Sequence, residues 1–140
     1  MPMPKTWTDK YKKKRKPERK RLIEALDKLW SMIIRKAGKC LYCGKTENLQ
    51  AHHIITRSIM SLRWELANGV CLCPGCHTLS SKFSAHKTPI EFIQWFGMER
   101  YNALKFLNNT KKFKASVDTL KLLKIYLESE LKKLVDDWRE

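Results

Sequence analysis

Residues 40–54 read CLYCGKTENLQAHHI, and residues 62–77 read LRWELANGVCLCPGCH. Between them they hold all five cysteines and three of the four histidines of a 140-residue chain. Cys40-x2-Cys43 and Cys73-x2-Cys76 form two CxxC knuckles, and paired knuckles of this kind are the pattern of a tetrahedral structural zinc site. The competing use, a redox CxxC, expects one motif in a βαβ setting rather than two matched ones. The fifth thiol, Cys71, falls on an expected strand and reads as a small buried apolar residue. Few large apolar side chains lie between 38 and 88, so metal binding would supply folding free energy that burial cannot.

Working outward, apolar residues of 49–55 alternate loosely and predict a strand, and 68–72 predicts a second. A helix is expected to start near Pro74–Cys76 and to run past His77. Upstream, Leu22, Leu26, Leu29, Trp30, Ile33 and Ile34 recur at helical spacing, with Pro17 expected as the first helical residue and Gly38 as the stop. Downstream, Thr88-Pro89-Ile90-Glu91 has the form of a capping box before an apolar helix ending at Gly97. Met98–Leu107 then adds a turn or two before the expected breaker Asn108-Asn109. Ser116 is placed to cap a last helix with the seam Leu120, Leu123, Leu127, Leu131, Leu134, Trp138. That seam is expected to pack in cis on the 17–37 helix, which favours a monomer; the alternative is a dimer through the 117–138 helix.

The expected organisation is therefore a basic, disordered tail (1–16), an N-terminal helix (17–37), a zinc-stabilised core (38–88) and a helical extension (89–140). The fold class is α+β. The net charge is +15, and residues 1–21 carry ten Lys/Arg against Asp9 and Glu18. Such an excess points to a polyanionic partner, most often nucleic acid, bound with release of counterions. Lys12, Lys13, Lys14, Arg15 and Lys16 are candidate phosphate contacts; a solubilising tail is the other use of such a run. No apolar run approaches membrane-spanning length, and MPMPKTWTDKYKKK lacks the apolar centre of a secretory signal. An intracellular, cytoplasmic protein is expected, in which thiols stay reduced.

Two adjacent histidines, His52 and His53, with His77 abutting a knuckle and Asn68 between, complete a further pattern. Through CLYCGKTENLQAHHI and LRWELANGVCLCPGCH the sequence resembles the HNH endonuclease family, in its phage and prokaryotic form with two CxxC zinc knuckles. The resemblance covers roughly 40 residues, with a weaker echo in AHKTPIEFIQWF. It implies a ββα-metal core: a two-stranded hairpin, then a helix, with one catalytic divalent ion. By resemblance His53 is the general base, His52 and His77 hold the ion, and Asn68 is the central Asn, which usually bridges the hairpin backbone and so orients the base and in some members reaches the metal. Imidazole suits proton removal from water near neutral pH, and a divalent ion stabilises charge on a departing 3′ oxygen. Mg²⁺ or Mn²⁺ is the expected catalytic ion, and other divalent transition metals tolerate nitrogen ligands.

Some histidine-rich members carry a further His soon after the last motif His; here Leu79, Ser80, Ser81 and Lys82 stand there. His86 lies nine residues past His77 and reads as a surface residue of the AHKTP turn. Arg57, in the inter-strand loop, is a candidate phosphate contact, with Arg63 and Lys82 as weaker ones; Trp64 reads as core. The implied activity is metal-dependent hydrolysis of DNA phosphodiester bonds. The alternatives are a non-catalytic zinc-stabilised DNA-binding module and a structure-specific or RNA-directed nuclease using the same residues.

Overall fold

A computed structural model describes residues 15–80 and 97–137. The expectations placed on Lys12, Lys13, Lys14, Lys82, His86, the 88–96 helix with its capping box, and Trp138 lie outside the described residues.

The first helix, α1 (Glu18–Arg35), forms where the sequence repeats apolar residues every three or four positions, with Glu18 in its first turn and Arg35 in its last. These charges complement the helix dipole. Pro17 stands one position earlier than expected. It is the N-cap, with ψ 149, and its carbonyl accepts the Arg21 N–H at 3.1 Å. Tight i→i+3 bonds at Lys36, Ala37 and Gly38 close the other end, and Gly38 takes a φ of +77 that a side chain would resist.

Strands β1 (Gln50–His53) and β2 (Gly69–Leu72) pair antiparallel, with Ala51 opposite Cys71, His52 opposite Val70 and His53 opposite Gly69. The loop between them holds a one-turn helix α2 (Met60–Arg63) and a 3-10 turn over Leu66–Asn68. β1 is shorter than the 49–55 expected. The Ile54 N–H still reaches the Asn68 carbonyl at 2.9 Å, but the Ile55 N–H bonds the Asn68 side chain instead, and the ladder stops there. Helix α3 (Pro74–Ser80) follows β2 directly. Proline suits its first position because no N–H is needed there.

Helix α4 (Met98–Thr110) runs straight through Asn108-Asn109 rather than stopping at it. Asn is only a mild helix breaker, and Asn108 accepts a 2.8 Å bond from Ser61 in the loop across from it. Helix α5 (Val117–Asp137) begins at Ser116, whose hydroxyl accepts the Thr119 N–H at 3.3 Å as an N-cap. The α+β class expected from sequence is thus what forms.

Burial divides into two clusters. In one, Ile54, Leu62, Val70, Leu72 and Leu104 pack with Cys40, Cys73 and Cys76. In the other, Leu26, Trp30 and Ile33 of α1 meet Leu120 and Leu127 of α5 and Trp64 of the loop. The α5 seam is therefore covered in cis by α1, the pair in most extensive contact. The hairpin lies between the clusters. Its Ala51/His53/Gly69 face meets α1: a Cβ on Gly69 would collide with Ile34 and come within 2.6 Å of Trp30. Its other face, with His52, looks towards α3, where the His52 and His77 rings meet. Among the described residues no helix is long and apolar enough to cross a membrane.

Candidate active site

The first knuckle is a tight turn in which the Cys40 N–H donates to the Lys45 carbonyl at 2.7 Å and the Gly44 N–H to the Cys40 carbonyl at 3.0 Å. Gly44 sits at φ +78, a conformation open to glycine. The second knuckle runs into α3, its His77 N–H donating to the Cys73 carbonyl at 2.8 Å. The four sulfurs of Cys40, Cys43, Cys73 and Cys76 lie within 4.8 Å of one another, as one tetrahedral zinc requires. Cys71 stays outside the set and is buried.

The thiols also show why a cation belongs among them. Burial raises Cys40, but main-chain N–H groups of Cys43, Cys73 and Tyr42 outweigh it and bring its pKa to about 6. Burial and the neighbouring thiols push Cys76 up to about 12. One thiolate makes the next costly, and a bound zinc removes that conflict.

This frame holds two imidazoles together. His52, buried at 8 % exposure, projects from β1 onto α3, where its ring lies 4.9 Å from that of His77 at 69°. The Nδ1–H of His77 donates to Gln50 Oε1. In neutral His77 this puts the ring's lone pair on Nε2, the arrangement of a metal ligand steered from behind. Burial lowers the His77 pKa and favours that neutral form. Gln50 escaped sequence reasoning, although its place two residues before His52 on one strand face is the available signal.

His53 leaves β1 on the opposite face. Its ring stacks on Trp30 of α1 at 3.9 Å and 10°, and its Nε2 lies 2.9 Å from the Arg63 carbonyl. A carbonyl only accepts, so Nε2 carries the hydrogen and Nδ1 the lone pair of the neutral ring. Burial is the main cause of a lowered His53 pKa; the Arg63 carbonyl and Asp27 oppose the shift, while the Arg63 and Arg57 charges add to it. Arg57 itself is exposed in the loop.

Asn68 is fully buried and spends its amide on backbone. Nδ2 donates to the Ile55 and Leu62 carbonyls, each at 3.0 Å, and Oδ1 accepts the Ile55 N–H at 2.8 Å. It fixes the loop one residue before the carbonyl that holds His53, so it acts by positioning. From α1, Asp27 grips the same loop. It accepts two bonds from Arg63, at 2.9 and 2.6 Å, and one from Trp64 Nε1 at 2.8 Å. Trp30 Nε1 donates to the Glu65 carbonyl at 3.0 Å. Arg63 is thereby committed inside the protein, and Trp64 is core as expected, 3 % exposed. From α4, Arg100 donates to the Ala67 and Gly69 carbonyls on either side of Asn68. No motif in the sequence marks Asp27, Trp30 or Arg100 as a site residue. The clue to Asp27 is an acid inside the apolar stripe Ile23–Trp30–Ile34.

The structure thus assembles the four cysteines, and separately the His52–His77 pair. His53 stands at the end of β1 on the α1 side, where the chain enters the loop bearing Arg57. Arg15 and Lys16 precede α1, and Lys16 pairs with Glu24 at 2.8 Å.

Residues 40–83 match the family model of the HNH endonuclease. That segment resembles an HNH endonuclease domain and holds the four-cysteine cluster suited to zinc. A nuclease-type function goes with that domain. No curated protein and no solved structure matches the chain.

Proposed function

We propose that the protein is a metal-dependent endonuclease that hydrolyses phosphodiester bonds of DNA. One observation carries the reading: the hydrogen bond from His53 Nε2 to the Arg63 carbonyl. It leaves Nδ1 as the basic atom, on a ring that burial keeps neutral at working pH. His53 Nδ1 takes the proton from a water, and the hydroxide attacks phosphorus in line with the 3′ oxygen. The products are a 5′-phosphate and a 3′-hydroxyl. Arg57, exposed at the loop beside this face, holds a phosphate oxygen. Asn68, Asp27 and Trp30 keep the base and its carbonyl in place.

His52 and His77 are the residues that would hold a divalent cation, which supplies positive charge for the pentavalent phosphorus and the departing oxygen. A two-imidazole set would accept Mn²⁺ more readily than Mg²⁺, leaving positions open to phosphate oxygens and water. Within the chain, 38–88 is the nuclease core, the 1–16 tail binds phosphates, and 89–140 is a C-terminal helical extension. The enzyme works as a monomer inside a prokaryotic or phage-infected cell.

The test is supercoiled plasmid incubated with Mg²⁺ or Mn²⁺, beside a chelator control and His53→Ala. Metal-dependent nicking or linearisation is expected, falling at least a hundredfold, roughly the contribution of a general base, in the variant. Cutting by His53→Ala at the parent rate would reject the base assignment. Binding without cutting under every metal would make the chain a DNA-binding module.

A further inference from the structure

The first zinc knuckle presents an unusual surface at its tip. Leu41 and Tyr42 are adjacent and exposed, at 56 % and 66 %, on the turn between Cys40 and Cys43 of the four-cysteine cluster. Single exposed apolar residues are ordinary. Close to these two in sequence stand Arg35, Lys36, Lys39 and Lys45, all exposed, and no acid occurs between residues 28 and 46. Elsewhere many cations are matched: Lys121 pairs with Glu18, Lys124 with Glu128, Lys133 with Glu130 and Lys111 with Glu65. Behind Leu41, a shallow cavity of about 260 Å³ opens between the end of α1 and β2, lined by Ile33, Ala37, Val70 and Arg100 among others.

Position links this surface to the hairpin. The Leu41 N–H donates to the Cys71 carbonyl at 2.9 Å, so the knuckle lies along β2 on the side away from β1. With strands about 5 Å apart, its tip stands on the order of 10 Å from β1, a span of two to four nucleotides.

We propose that this knuckle is a second DNA contact, in which Arg35, Lys36, Lys39 and Lys45 hold phosphates while Tyr42 stacks on an unpaired base beside Leu41. The cations account for a polyanion. The aromatic–aliphatic tip accounts for a base face, which a regular duplex hides and an unstacked strand exposes. The partner is therefore DNA with unpaired nucleotides, such as a flap, gap or bulge, near the bond to be cut. The proposal rests on the nuclease reading for its choice of DNA, but its measurement is of binding.

The experiment compares the full chain carrying His53→Ala, which prevents turnover, on two labelled DNAs: a duplex, and the same duplex with a short single-stranded gap. Affinities are read by fluorescence anisotropy at several salt concentrations. Tyr42→Ala is expected to weaken gapped-DNA binding about tenfold, the effect of losing one stacked base, with duplex affinity and salt slope unchanged. Tyr42→Trp should restore it. Lys39→Ala with Lys45→Ala should weaken both DNAs and lower the salt slope by about 1.5 to 2, nearly one per lost phosphate contact. Zinc content is measured for each variant. Should Tyr42→Ala shed zinc, Tyr42→Leu, which keeps bulk but not a ring, is expected to show the same selective loss. Equal binding of gapped DNA by parent and Tyr42 variants overturns the proposal, as does an equal loss on both DNAs. If the chain with His53 intact never cuts, while the His53→Ala background shows the selective loss, the nuclease reading alone is rejected.

Discussion

Adjacent histidines on a strand point to opposite faces, and here each face gives its imidazole different surroundings and a different proposed task. His52 meets His77 over α3, while His53 lies on Trp30 with its Nε2 proton held by the Arg63 carbonyl. A base acts only when neutral, and burial holds the His53 pKa below its ordinary value. The acidic limb of kcat/KM should therefore fall below about pH 6.5, the usual imidazole value; a midpoint above it would point to another base. Stability follows the same sign. The unfolded chain binds the proton first, so the His53 contribution is complete above about pH 6.5 and is lost as pH falls through the lowered folded value. Asn68 offers a second test. Asn68→Asp keeps the acceptor for the Ile55 N–H but turns two donors into an oxygen facing the Ile55 and Leu62 carbonyls. A loss of about 3 kcal/mol is expected in denaturant unfolding, since two buried carbonyls lose partners and meet a charge. The motif positions were legible because knuckle spacing and the His-His pair are local patterns. Gln50, Arg100 and Asp27 were not, because their partners lie 27, 33 and 36 residues away, and the local signals at Gln50 and Asp27 do not say what those residues bind.

At the level of elements, α1 does more than cover a sheet. Its stripe Ile23, Asp27, Trp30, Ile34 advances one helical face, so a single side of the helix delivers a carboxylate, a stacking ring and a packing chain to hairpin and loop. Helical period announces the apolar members of that stripe, which is why α1 was legible. The role of Asp27 depends on Arg63 and Trp64 arriving from the loop. The 3-10 turn and α2 were invisible for a similar reason: one-turn helices carry no period and are set by the bonds of Asn68 and Asp27. Asp27→Asn keeps the volume but takes away the charge that holds Arg63 bidentate. With Arg63 loosened, its carbonyl no longer fixes His53, and kcat should fall about tenfold or more while zinc content stays at one per chain. Unchanged kcat would show that the loop holds its shape without α1.

Across the whole molecule, the proposed base rests on one hydrophobic cluster and the four-cysteine frame lies in the other. The cysteines pack with Ile54, Val70 and Leu104, whereas Trp30, on which His53 lies, packs with Leu26, Leu120 and Leu127. Deleting residues 1–16 removes seven Lys/Arg and Asp9, and should weaken DNA binding and flatten its salt dependence without lowering the unfolding midpoint. The α5 seam has the opposite signature. Leu127 is fully buried against α1, and Leu127→Ala should cost about 2–5 kcal/mol through the lost side chain and the cavity left behind. That loss loosens α1, and with it Trp30 and Asp27, so cleavage should drop although Leu127 contacts neither DNA nor ion. The four thiols belong to the other cluster, so zinc content at ambient temperature should hold. Measuring zinc, thermal unfolding and plasmid cleavage on this one variant separates the clusters. Loss of zinc together with activity would mean that the two fold as one unit.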